Sequence, residues 1–221
     1  ERVEDLKAAL EIYQRVFTEE NHRILCAKLG IKTGTMTSAQ GEEAEEGEES
    51  EEERLVALLL RALGGSAVDF TCTFLALGEM TTTAASNSGT LSDADVETMS
   101  EGELIDRSGL AGILDHARGV YLEEKADEIA QGAHDAWSNF LRPYLRYCAA
   151  QVRGGGDSDS ARRERMHEVN PRYILRNYLV HQAIEQAEAG DMSAVLELLE
   201  LVRKPYEEVS GMERYAQLPP T

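Results

Sequence analysis

The chain has 221 residues, 42% of them hydrophobic and 6% aromatic, with a net charge of -19. That length holds one or two domains with an ordinary core. The charge argues against nucleic acid and anionic membrane surfaces, which call for clustered Lys and Arg. The one dense basic run, Arg162-Arg163-Glu164-Arg165, is too short to serve. Three separated cysteines, Cys26, Cys72 and Cys148, fit a reduced intracellular chain and not a disulfide framework. No run of 18 apolar residues is present, so no membrane span is expected. The start at Glu1, with no Met and no signal character, reads as a fragment or processed product whose targeting segment lies elsewhere.

In chain order, residues 4–29 form an amphipathic helix pattern, with Leu6, Leu10, Tyr13, Phe17, Ile24 and Leu25 on a helical stripe and Gly30 at the C-terminal cap. Nine Glu between Glu42 and Glu53 supply about half of the net charge. Such a tract repels itself and buries nothing, so 32–53 reads as a disordered acidic linker. Leu55 to Leu60 begins a short buried helix that ends at Gly64-Gly65. Ser66-Ala67-Val68-Asp69 reads as a capping box ahead of a second one. Residues 81–90 read as a loop, with weaker helical signals over 91–98 and 103–118.

A long helix is expected over 120–152, where Trp137, Phe140, Leu141, Tyr144, Leu145 and Cys148 follow helical spacing. Pro143 lies inside that pattern and predicts a kink or break near Arg142. Residues 153–160 are Gly- and Ser-rich and read as a flexible connection. After a short helix over 161–168, Asn170-Pro171 offers an N-cap and a first-turn proline. The helix it opens is expected to run to Ala189, with a last helix ending at Pro205. No period-two strand pattern competes, so the chain reads as all-α. Its divisions are a helix 1–31, the linker 32–53, a helical region 54–152, the connection 153–160, and C-terminal helices with a tail over 161–221.

Chemistry-bearing arrangements are few. His22 and Cys26 share a helix face but lack a third and fourth metal ligand. Asp69-Phe70-Thr71 has the Asp-Phe of a kinase metal loop without its Gly, and a capping role explains it. Cys148 sits beside Tyr144 and Tyr147 with no acid–base partner, as a core cysteine would. No phosphate loop, zinc helix or nucleophile elbow is present. No catalytic, cofactor-binding or metal-binding residue is therefore assigned. The polar face with Arg172, Arg176, Asn177, His181 and Gln182, interleaved with Tyr173 and Tyr178, reads as a network that docks this helix onto another element. Within it, Asn177 is expected to hold a buried partner.

Asn170-Pro171-Arg172-Tyr173-Ile174-Leu175-Arg176-Asn177-Tyr178-Leu179 resembles the N-P-K/R-Y-V/I-L-R-N-Y motif of the selenoprotein O (SelO) family. The resemblance continues through Gly190-Asp191, Pro205-Tyr206 and Met212 to Pro220. Upstream, Ala27-Lys28-Leu29-Gly30-Ile31 and Val68-Asp69-Phe70-Thr71-Cys72-Thr73-Phe74 are similar to two further family elements. The resemblance implies a protein-kinase-like fold, of which this chain would be the C-terminal helical region, with disordered acidic and Gly/Ser-rich inserts. It implies a protein adenylyltransferase that moves AMP from ATP, with Mg or Mn, to hydroxyl side chains of proteins. The family's ATP- and metal-binding residues would lie ahead of the Ala27–Ile31 element. None is carried onto this sequence, and no cofactor is expected to bind this part alone. Asn170, Pro171, Tyr173, Leu175, Arg176, Asn177 and Tyr178 are expected to serve packing.

The resemblance makes the chain a supporting part of such an enzyme. Its partners would be the enzyme's own kinase-like part and protein substrates, with no nucleic acid and no membrane insertion. Its compartment would be mitochondrial in a eukaryote and cytoplasmic in a bacterium. The other reading is a non-enzymatic helical interaction module that uses the 171–203 helix pair.

Overall fold

The computed structural model describes residues 2–32, 49–84, 89–120 and 126–220. Most of the acidic tract, at 33–48, lies outside the described residues, as do 85–88 of the expected loop. The described residues are helical: α1 (Arg2–Lys28), α2 (Glu51–Gly64), α3 (Phe70–Glu79), α4 (Asp93–Thr98), α5 (Glu101–Ser108), α6 (Ala111–Arg118), α7 (Ala126–Arg153), α8 (Asp159–Val169), α9 (Asn177–Glu188) and α10 (Ser193–Arg203), then a 3-10 turn at Glu213–Ala216. Among these residues, the isolated antiparallel bridge Thr83–Thr90 is the only β pairing.

Local chemistry starts these helices. Ser50 and Glu53, Ser92 and Asp95, and Ser100 and Glu103 each form a reciprocal capping box, at α2, α4 and α5. Each box satisfies helix-terminal N–H groups that would otherwise lack partners. Gly109 ends α5 in the left-handed conformation at φ 71°.

The 28-residue α7 is the spine, and α2, α4, α5 and α6 pack along it. It buries the stripe of Trp137, Phe140, Leu141, Tyr144, Leu145 and Cys148. The Trp137–Phe140 rings meet edge-on at 5.8 Å, and Phe140 stacks on Tyr144 at 5.3 Å. The indole N–H of Trp137 donates to Ser66 Oγ at 3.1 Å, so the buried ring leaves no orphan donor. On the other flank, α3 packs on α8 and α1 packs on α2 and α8. A second, smaller core of Tyr173, Leu179, Ala183, Leu198, Leu201 and Tyr215 closes the α9–α10 hairpin against the tail.

Several expectations are corrected. The fold is not the C-terminal region of a protein-kinase-like fold: the described helices close on a core of their own around α7. The Gly/Ser-rich 153–160 is a built turn. Gly155 has φ +70°, Gly156 N–H donates to Gln151 O at 3.1 Å, and Ser158 caps α8. Ser50–Glu53, assigned to the linker, are the cap and first turn of α2. Asp69 is itself the N-cap of α3, accepting from Cys72 N–H at 2.7 Å, and Ser66 is not the cap. The helix α7 passes through Pro143 without ending. The turns on both sides of this proline are buried, and their packing offsets the roughly 3 kcal/mol a helix-interior proline costs.

The helix expected from Pro171 begins only at Asn177. Asn170 instead ends α8 in an extended conformation (φ -108°, ψ 104°), the preference of a residue before proline. Segment 171–176 is non-helical, and the amides of Arg172 and Tyr173 both donate to Pro205 O, at 2.7 and 3.2 Å.

Candidate functional site

The 170–178 motif sits where α1, α3, α8 and the α9–α10 hairpin converge. Asn170 is 3% exposed. Its amide N–H donates to Lys28 O at 2.9 Å and its Oδ1 accepts from Lys28 Nζ at 3.2 Å, so one side chain ties the end of α1 to the end of α8. The Lys28 ammonium also lies 5.5 and 5.4 Å from the Phe70 and Phe74 ring centres. Burial lowers the Lys28 pKa.

Arg176 forms a two-pronged ion pair with Asp69. Nη1 meets Oδ2, and Nη2 lies 3.0 Å from Oδ1 and 3.5 Å from Cys72 Sγ. Burial alone would raise the Asp69 carboxyl; hydrogen bonds from Arg176 and the Cys72 amide outweigh it and hold the carboxyl at about 2. The same surroundings, burial first and then Asp69, push the Cys72 thiol up to about 12. Tyr173 is buried in the second core, and its hydroxyl accepts from Val209 N–H at 3.1 Å. The tail closes the arrangement: Ala216 O accepts from Cys72 Sγ at 3.7 Å, and Pro219 O lies 2.8 Å from His116 Nε2.

The structure thus brings Asn170, Tyr173 and Arg176 into packed contacts. Pro171 and Tyr178 are half-buried, while Leu175 and Asn177 are exposed. Asn177 therefore does not hold a buried partner; Asn170 does. Arg172 pairs with Glu208 at 3.4 Å and does not line up with Arg176 on one helix face.

The short basic run proved to be an internal anchor. Arg162 is 4% exposed and donates to Leu77 O and Tyr144 OH, at 3.1 and 3.3 Å, and to Met80 O. Arg165 pairs with Asp157 and donates to Gly30 O at 2.9 Å, and Arg163 reaches Glu79 at 2.7 Å. The backbone carbonyls that receive these groups leave no trace in side-chain patterns. The only available signal was the presence of three arginines on one short helix of an acidic chain.

Cys26 Sγ lies 3.4 Å from His22 Nε2, and burial pushes the Cys26 and Cys148 thiols up to about 11. These are poor nucleophiles near neutral pH. Among the described residues, no group of three or more His, Cys, Asp or Glu is placed to hold a metal ion.

Fold and site define a helical packing body whose buried charges serve to clasp one element to another. Comparison with known proteins specifies it further. The family model for protein adenylyltransferase SelO matches residues 2–203. The chain belongs to the SelO family. Among curated relatives, it is 34% identical over 218 residues to the protein nucleotidyltransferase YdiU of Stutzerimonas stutzeri, covering 99% of this chain and 33% of the relative. It is 35% identical over 213 residues to that of Aromatoleum aromaticum, covering 96% and 32%. Against that of Pseudomonas fluorescens the figures are 32% over 218 residues, covering 99% and 34%. The match runs along nearly all of this chain. The chain spans about a third of the length of the curated relatives it matches. No described helix is long and apolar enough to cross a membrane.

Proposed function

We propose that this chain is a supporting helical part of a SelO-family protein adenylyltransferase, an enzyme that moves AMP from ATP to Ser, Thr or Tyr hydroxyls of proteins. One observation carries the supporting role. The arginines of the basic run and the family motif that lie inside the fold, Arg162, Arg165 and Arg176, are engaged with partners there. An arginine spent on a buried carboxylate or on backbone carbonyls cannot also cradle a triphosphate without leaving those partners unpaired. ATP and Mg or Mn would be held by the part of a family-length polypeptide that this chain does not span, and protein substrates would be met there.

The 221-residue chain, incubated with ATP labelled at the α-phosphate, Mg or Mn, and acceptor proteins, should transfer no AMP. Metal-dependent incorporation that survives repurification would overturn the supporting role.

A second reading rests on Ile184, Leu196 and Leu199, which are exposed on the α9–α10 hairpin. It makes the hairpin a docking surface of a non-enzymatic interaction module. Full AMP transfer by the family-length polypeptide carrying Leu196→Glu would argue that the hairpin surface is not needed for that activity.

A further inference from the structure

Along most of its length, α1 has no partner within the described chain. Leu6, Leu10, Tyr13, Phe17 and Ile24 are between 44% and 66% exposed, although Leu25, Cys26 and Leu29 at the same helix end are buried in the core. At about 100° per residue, these five side chains fall on a strip roughly 60° wide, and the exposed Val16 and Ile12 extend the apolar surface along one side of it. The three core residues face about 140° away from it. No lean of α1 onto the described body can therefore cover the strip. Its spacing of four, three and four residues from Leu6 to Phe17 is that of a helix-on-helix seam. Tyr13 and Phe17 already stack within it, with ring centres 5.9 Å apart.

We infer that this strip seats a helix from the two-thirds of a family-length polypeptide that this chain does not span. The inference rests on the supporting role proposed above. The chain spans about a third of the length of these relatives, so most of such a protein is available to cover the strip. The flanking positions agree with it. Beside Leu6 to Phe17, Lys7 and Gln14 border one side and Ala9 and Val16 the other, with no carboxylate; Glu20 lies at the strip's edge one turn further on. Such borders suit an occupant with acidic or neutral shoulders. A second copy suits the strip less well, because the next position in its register is Glu20, paired with Arg23 at 2.7 Å. Pairing two whole strips would bury that carboxylate, whereas an occupant lying on Leu6 to Phe17, about three turns, leaves it in water.

The test is thiol accessibility, which is clean here because Cys26, Cys72 and Cys148 are all buried. Leu10→Cys and Phe17→Cys are made separately, with Glu19→Cys as an exposed control. Maleimide labelling rates are compared in the 221-residue chain and in the family-length polypeptide that contains it. The strip cysteines should label like the control in the short chain, and at least tenfold more slowly than the control in the long one. Equal rates at strip and control in the long polypeptide would overturn the inference. So would slow labelling in the short chain accompanied by a doubled mass in light scattering, which would make a second copy the occupant. The readout needs no catalysis, so AMP transfer by the short chain would defeat the supporting role without altering this result.

Discussion

Asp69 shows how one buried pair sets a pH dependence. Its carboxyl is held at about 2 against an ordinary 3.8, so the folded chain binds that proton less tightly than the unfolded chain. The pair therefore contributes on the order of 2 kcal/mol that is fully present above about pH 4 and lost as pH falls through about 2. Asp69→Asn keeps a competent cap but removes the charge. Denaturant unfolding at stepped pH should show it less stable at pH 7 and flatter between pH 4 and 2; parallel curves for the two proteins would refute the assignment. Asn170→Ala should cost about 1–3 kcal/mol, because Lys28 O loses its side-chain donor in a buried place. An unchanged melting midpoint would contradict that. The sequence marked Arg176 as part of a docking polar face and Asn170 as an N-cap with a packing role. It could not name their partners, which lie 142 and 107 residues away.

Among elements, legibility followed locality. Helix existence, the α7 stripe and the Gly30 stop depend on residues within a turn or two, and the pattern shows them. Gly30 has φ +69°, and a Cβ there would lie 2.8 Å from Arg162 Cγ and 2.9 Å from Met166 Cγ. Gly30→Ala should therefore destabilise by roughly 1–3 kcal/mol through both backbone conformation and crowding of α8. Thermal unfolding measures it, and a stable variant would mean that α1 and α8 do not approach this closely. The start of α9 was misplaced because two local signals competed. Asn170-Pro171 is a good helix opening in isolation, but Asn170 is drawn to Lys28, and the following amides to Pro205 O. At Pro143 the break, one of the two expected outcomes, does not occur, since a local cost was outweighed by burial on both sides.

At the scale of the molecule, the two cores differ in what holds them. The main core surrounds α7, while the α9–α10 hairpin closes on six buried residues and is tied across by Asp69–Arg176 and the tail. Hydrogen exchange should find the amides of α9 and α10 less protected than those of α7, in keeping with fewer buried contacts. Equal protection would mark one cooperative unit. The sequence by itself determined the helical class, the family motif and the lack of a recognisable active-site pattern, because helix periodicity, caps and motif residues are encoded along neighbouring positions. Only the tertiary structure decided that the basic run is an internal anchor, that Asn170 carries the buried load expected of Asn177, and that the α1 stripe is uncovered among the described residues. Those outcomes depend on which distant carbonyls, carboxylates and apolar faces meet, and one-dimensional spacing does not contain that information.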